Sequence, residues 1–225
     1  MQSHDLAWHE EVLDDAVKQT LKELLSSGVL ESFYLAGGTG LALYLGHRRS
    51  VDLDFFRREA FDEEALLQRL QRLQNLALVA KGGATLHAMV RGTKTSFLGY
   101  EYPVLFPLAS FHGVQVADPR DIAGMKISAV AGRGTRRDFI DLYVVSKKYG
   151  MEMLLRTFRE KFARVNYSLV HVLKSLTYFE DAEQEPMPDM LAPLSWDEVR
   201  QFFRREIPPL LGRFGSETGA QSLLT

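Results

Sequence analysis

The stretch "LAGGTGLALYLGHRRSVDLDFF", Leu35 to Phe56, sets two costs side by side. Gly37 and Gly38 end a short apolar run, where glycine weakens a helix or a strand alike. Asp52 and Asp54 place two like charges in a segment that otherwise reads Val51, Leu53, Phe55 and Phe56. Breaches of local rule such as these concentrate where a chain carries function. Read outward, "FYLAG" (33–37) is a short buried strand and Thr39 to Leu45 a small helix that begins at the glycines. "SVDLDFF" (50–56) alternates and is an apolar, aromatic strand. Alternate strand residues share a face, so the two carboxylates point the same way, roughly 6.6 Å apart along the chain. At that spacing they repel unless a cation lies between them. Mg2+ suits the position, being a hard ion usually held by one or two carboxylates plus substrate phosphates. The glycine pair offers backbone N–H groups at a helix start with no Cβ in the way, as a triphosphate requires, and Thr39 adds a hydroxyl beside them. "HRRS" (47–50) reads equally as a polar turn and as a phosphate-facing one, with Arg48 and Ser50 as the candidates. Glycines, a short helix and an Asp-x-Asp strand together suit in-line phosphoryl or nucleotidyl transfer.

The rest of the chain narrows the alternatives. Its 225 residues are enough for one large domain or two small ones, and 46% hydrophobic with 25% charged is ordinary for a globular protein. A formal net charge of -2 gives no general affinity for polyanions, so any nucleic-acid contact must come from local patches. "RGTKT" (91–95), "GRGTRRD" (132–138) and "RTFREKFAR" (156–164) are such patches, readable as solvated faces or as guides for an RNA acceptor. The absence of cysteine excludes a disulfide framework and a thiolate metal site. The six histidines show no zinc-ligand spacing, and no Ser/His/Asp elbow is present. The N-terminus "MQSHDLAWHEEVLDD" lacks a basic segment followed by an apolar run, which argues against a secretory signal. No apolar stretch approaches the roughly 18–20 residues of a membrane span. A cytoplasmic protein without membrane contact is expected.

Helical spacing covers residues 8–27 and 62–73, and short runs at 76–81, 84–91 and 94–100, broken by "GG" and "GT", read as hairpin-linked strands. Residues 113–118 form one more strand. Beyond Pro119 the pattern turns helical: 120–132, 136–150, 151–163, 168–179 and 195–206, with an acidic, proline-rich loop at 180–193 and a frayed tail after Gly212. The fold class expected is α+β, a mixed-sheet half (1–118) followed by a helical half (119–225). The aromatics Phe55, Phe56, Phe139, Tyr143, Phe158 and Phe162 read as core.

"GGTGLALYLGHRRSVDLDFF" resembles the nucleotidyltransferase-fold toxins of the AbiEii type, found in type IV toxin–antitoxin and phage-abortive systems. "DIAGMKISAVAGRGTRRDFIDLYVV" (121–145) is similar to that family's helical block, and the resemblance spans roughly residues 30 to 150. It implies a Mg2+-dependent enzyme that moves a nucleoside monophosphate from an NTP to an RNA, with tRNA one candidate, or to a protein hydroxyl, and a cognate antitoxin as partner. Residue by residue, it implies phosphate binding by Gly37, Gly38 and Thr39 and metal binding by Asp52 and Asp54. Lys126 would neutralise charge on the triphosphate, and Asp138 or Asp141 would orient the acceptor. Lys126 lies beside an apolar stripe of Ile122, Met125 and Ala129, where snorkelling is the plain alternative. Asp138 and Asp141 share a helix face, and near Arg136 and Arg137 they read equally as surface pairs. One departure stands out: many nucleotidyltransferases carry a third carboxylate on a later strand, and here "KTSFLGYEY" has Ser96, with Glu101 and Asp118 further on. Two other readings follow, an antibiotic-type small-molecule nucleotidyltransferase and a non-catalytic nucleotide-binding module.

Overall fold

The computed structural model describes residues 7–73 and 75–221; His4 and residues 222–225 of the tail lie outside them. The chain divides between Ile122 and Ala123 into two compact units.

In the first unit, α1 (Asp15–Ser26) starts where Asp14 accepts the Val17 N–H at 2.8 Å. That cap is why the regular helix begins later than its apolar spacing suggests; ahead of it Glu10–Val12 form only a 3-10 turn. β1 (Tyr34–Leu35), α2 (Gly37–Leu45) and β2 (Leu53–Arg57) follow, then α3 (Glu63–Leu70), whose first N–H groups are capped by Asp62. β3 (Leu76–Lys81), β4 (Thr85–Val90) and β5 (Thr93–Gly99) form the expected hairpins. β6 (Ala109–Phe111) is a strand that the sequence did not announce, because three residues are too few to show alternation. It pairs antiparallel with β7 (Val114–Val116).

These strands make one seven-stranded sheet in the order β3-β4-β5-β2-β1-β7-β6. β2 runs parallel to β5 and β1 parallel to β7; the remaining pairs are antiparallel, so the sheet is mixed, as expected. One face carries Leu53, Phe55, Leu86, Ala88, Val90 and Phe97, with α1 packed on β5 and α3 on β4. The rings of Phe33, Phe55 and Phe97 meet there at 5.2–5.5 Å. Burying an aromatic or aliphatic side chain of this kind is worth about 1.5–3 kcal/mol. The strand period of two therefore sends Asp54, Ser96 and His87 to the opposite face.

α4 (Pro119–Gly132) begins in the first unit and ends in the second. Its first turn is tied down by Asp121, 1% exposed, whose carboxylate accepts the N–H groups of Leu105 and Phe106 at 2.9–3.1 Å.

The second unit is helical: α5 (Arg136–Tyr149), α6 (Met151–Lys161), α7 (Leu169–Ser175), α8 (Glu180–Glu183) and α9 (Trp196–Gln221). Its core gathers Phe139, Phe179, Trp196 and Phe203, with Phe139 within 5.0–5.9 Å of the other three rings. Of the aromatics read as core, Phe55, Phe139, Phe158 and Phe162 are buried, and Phe56 and Tyr143 are half-buried against other rings. Two expectations need correction. The acidic loop at 180–193 opens with the short α8. The last helix does not stop at residue 206 and leave a frayed tail; α9 continues through Pro208 and Pro209 to Gln221. Proline removes backbone bonds from a helix interior, and here the burial of Ile207, Leu210 and Phe214 offsets them. Among the described residues no helix is long and apolar enough to cross a membrane.

Candidate active site

The two glycines have a steric explanation. Gly37 opens α2 with φ +61, a left-handed conformation that costs other residues about 1–2 kcal/mol. A Cβ there would sit 2.9 Å from Asp54 Oδ2 and 3.3 Å from Asp54 Cβ. The Asp54 carboxylate therefore lies against the first residue of α2, in a space that any side chain at position 37 would fill.

Backbone bonds fix that approach from both ends. The Ala36 N–H donates to the Asp54 carbonyl at 3.0 Å, and Thr39 Oγ1 donates to the Asp52 carbonyl. The Thr39 and Ser50 hydroxyls lie 2.7 Å apart. Thr39 is 1% exposed, so its hydroxyl clamps the start of α2 to the aspartate segment instead of presenting a free group at the surface. Ser50 is likewise buried, and its N–H donates to the Val12 carbonyl at 3.0 Å. Arg48 is 4% exposed and donates to the Arg49 carbonyl at 3.0 Å. "HRRS" is thus a packed turn, with only Arg49 at the surface.

Asp52 precedes the first ladder residue of β2, and both aspartates are half-buried. Leu53 and Phe55, each 0% exposed, anchor the segment from the other face. No side chain caps the start of α2, nor those of α6 and α8, whereas α1, α3, α5 and α7 are capped by Asp14, Asp62, Thr135 and Ser168. The amides that open α2 are therefore left to other acceptors, beside two carboxylates. Among the described residues no three His, Cys, Asp or Glu side chains gather as a metal cage. A two-carboxylate donor set with substrate oxygens completing the shell is how Mg2+ is commonly held, so the residues present fit that ion.

Gly37→Ala is expected to lower the Tm by roughly 2–8 °C through left-handed strain alone, and the contact of the new Cβ with Asp54 adds to that loss; a melting curve checks it.

In the second unit the family-implied residues meet one another. Lys126 on α4 lies 2.8 Å from Asp138 Oδ1 and 2.7 Å from Asp141 Oδ2, both on α5. Asp138 also accepts the Thr135 hydroxyl at 2.6 Å, and Arg133 approaches it at 3.9 Å. The Lys126 side chain is 10% exposed and that of Asp141 is 0% exposed, so snorkelling and surface pairing are both replaced by a buried ion triad. The sequence showed that Asp138 and Asp141 share a face, but not that a lysine from another helix lies against it. Of the remaining acids, Asp118 binds the Arg120 guanidinium at 2.8 Å through both oxygens, and Glu101 is exposed in the loop after β5.

Comparison with known proteins bears on the family and the fold. The family model described as nucleotidyl transferase AbiEii toxin, type IV TA system, matches residues 19–106 and 92–216. The chain is 35% identical over 200 residues to the uncharacterized protein aq_aa25 of Aquifex aeolicus (strain VF5), covering 86% of this chain and 95% of that relative. Among solved structures, MenT4, the nucleotidyltransferase toxin Rv2826c of Mycobacterium tuberculosis H37Rv, superimposes with a TM-score of 0.55 at 14% identity, over 87% of this chain and 85% of that one. JHP933 from Helicobacter pylori does so with a TM-score of 0.51 at 15% identity, over 94% and 99%. These two likenesses bear on the fold, and the family match covers most of the chain. The chain belongs to the AbiEii family of nucleotidyltransferase toxins of type IV toxin–antitoxin systems.

Proposed function

We propose that this protein is a Mg2+-dependent nucleotidyltransferase that moves a nucleoside monophosphate from an NTP to an RNA acceptor, with tRNA one candidate. The first unit is its nucleotidyltransferase core, and an antitoxin is its cognate partner. The observation that carries the reading is the Asp54 carboxylate held against Gly37, at the start of a helix that no side chain caps. The amides at Gly37 and Gly38 bind phosphate oxygens. Asp52 and Asp54 would hold the metal, which would supply charge to offset that of the phosphates. Thr39 and Ser50 act by fixing the aspartate segment, and the buried Arg48 by holding the turn at Arg49 that leads into it. Lys126, Asp138 and Asp141 act as a buried ion triad that ties α4 to α5.

A cavity of about 380 Å³ in the second unit has Arg133, His171 and Lys174 on its walls together with the acid Asp181, so basic groups outnumber acidic ones where a phosphate-bearing acceptor would be met. The basic patches contribute less. Arg91 pairs with Glu23, and Arg156 with Glu152. Arg136 is spent on the carbonyls of Ala182 and Glu183.

The test is incubation of purified protein with Mg2+ and each α-labelled NTP, with and without total tRNA, beside an Asp52→Ala/Asp54→Ala double variant. Label entering RNA with the wild type alone is the expected result. Label entering the protein would move the acceptor class to a protein hydroxyl. Absence of both transfer and Mg2+-dependent NTP binding would sink the reading.

A further inference from the structure

On the face that carries Asp54, the neighbouring strands offer no acid. β5 reads Thr93, Lys94, Thr95, Ser96, Phe97, Leu98, Gly99, and β4 reads Thr85, Leu86, His87, Ala88, Met89, Val90. Register sets three of these residues in one row: Asp54 opposite Ser96 on the parallel β5, and Ser96 opposite His87 on the antiparallel β4. Adjacent strands lie about 4.8 Å apart, so the imidazole belongs to a residue two strand spacings, about 10 Å, from Asp54. It leans toward Asp54, because His87 Nδ1 lies 3.0 Å from Ser96 Oγ. Ser96 is 3% exposed, while His87 is half-buried. The two phenols beside β2 are unsuited to proton transfer. Burial lifts Tyr100 and Tyr34 above the usual tyrosine range, so both stay protonated.

Resting on the nucleotidyltransferase reading, we infer that His87 accepts the proton of the attacking acceptor hydroxyl, with Ser96 as the residue that positions its ring. When Nδ1–H donates to the Ser96 oxygen, Nε2 keeps its lone pair on the side open to substrate. The acceptor oxygen bonds to the α-phosphorus as the bond from that phosphorus to the pyrophosphate oxygen breaks. The hydroxyl proton passes to His87 Nε2, and pyrophosphate leaves with the electron pair of the broken bond. His87 thereby occupies the chemical place of the missing strand carboxylate. The carboxylates of Asp138 and Asp141 stay with the Lys126 ammonium.

The experiment compares wild type, His87→Ala and Ser96→Ala in single-turnover transfer from labelled NTP, with NTP affinity measured by calorimetry and folding by melting curves. His87→Ala is expected to lower the transfer rate about 100- to 1,000-fold, in the range of general-base removal, while the NTP Kd stays within about twofold. Free imidazole should restore part of the lost rate in His87→Ala, which no purely structural role would allow. Ser96→Ala should lose about tenfold by releasing the ring. A His87→Ala rate within threefold of wild type, or a loss that imidazole leaves untouched while the Kd holds, overturns the inference and leaves nucleotidyl transfer standing. A wild type that neither transfers nor binds NTP overturns both.

Discussion

Asp54→Asn should lower nucleotidyl transfer on the order of 1,000-fold or more and leave the melting temperature unchanged or slightly raised. The two parts have separate causes. Asparagine keeps the volume that fits against Gly37, and its carbonyl still accepts the Ala36 N–H, so the approach of strand to helix survives. Leu53 and Phe55, the residues that anchor β2 in the core, are untouched. The carboxylate charge is what disappears, and with it half of the two-carboxylate set. Removing one electrostatic contributor from a preorganised site typically costs 100- to 1,000-fold, and on the proposed reading, in which this charge holds the metal, the loss belongs at or beyond the upper end. Removing one of two like charges on a single face also relieves repulsion, which is why stability should not fall. Asp52→Asn should follow the same direction. Transfer by Asp54→Asn within tenfold of wild type would show that this carboxylate does not take part. Unchanged transfer in both single variants would remove the strand from the mechanism.

Lys126→Met should destabilise the protein by about 3–5 kcal/mol, the usual cost of removing one partner from a buried ion pair. For a chain of this size that corresponds to a loss in Tm of roughly 6–20 °C. The expectation follows from the burial of the triad. Lys126 sits 2.8 and 2.7 Å from the carboxylates of Asp138 and Asp141, whose side chains are 5% and 0% exposed. Methionine fills the stem of the lysine and takes away the charge, leaving two carboxylates facing each other with little water. Asp138 retains the Thr135 hydroxyl and its place in the first turn of α5, where the helix dipole favours an acid. The larger penalty therefore falls on Asp141. Adding Asp141→Asn to Lys126→Met should recover half or more of the lost stability, and thermal melts of the single and double variants measure it. A single variant that melts with wild type would mean that the triad is solvated in solution.

Local sequence carried a large part of this architecture. The expected hairpin strands at 76–81, 84–91 and 94–100 became Leu76–Lys81, Thr85–Val90 and Thr93–Gly99, because alternation and glycine turns are properties of neighbouring residues. The helical second half was legible for the same reason, in the 3.6-residue spacing of its apolar positions. β6 was too short to announce itself, and the last helix, expected over 195–206, runs on through Pro208 and Pro209, where the burial of Ile207, Leu210 and Phe214 offsets the lost backbone bonds.

Within the site, the sequence by itself determined that Gly37, Gly38, Asp52 and Asp54 break local rules together. Tertiary structure alone decided what the other candidate residues do. Thr39 could have offered its hydroxyl to a ligand, and packing gave it to Ser50 and the Asp52 backbone. Lys126 could have snorkelled, and the crossing of α4 with α5 set it between two carboxylates. His87 carried no signal, since no ligand spacing surrounds it in the chain; strand register brought it to Ser96 and into line with Asp54. The physical reason is the same in each case. Periodicity and turn chemistry act over a few residues, while the partner of a side chain is fixed by which elements pair and in what register, and that is settled only when the core closes.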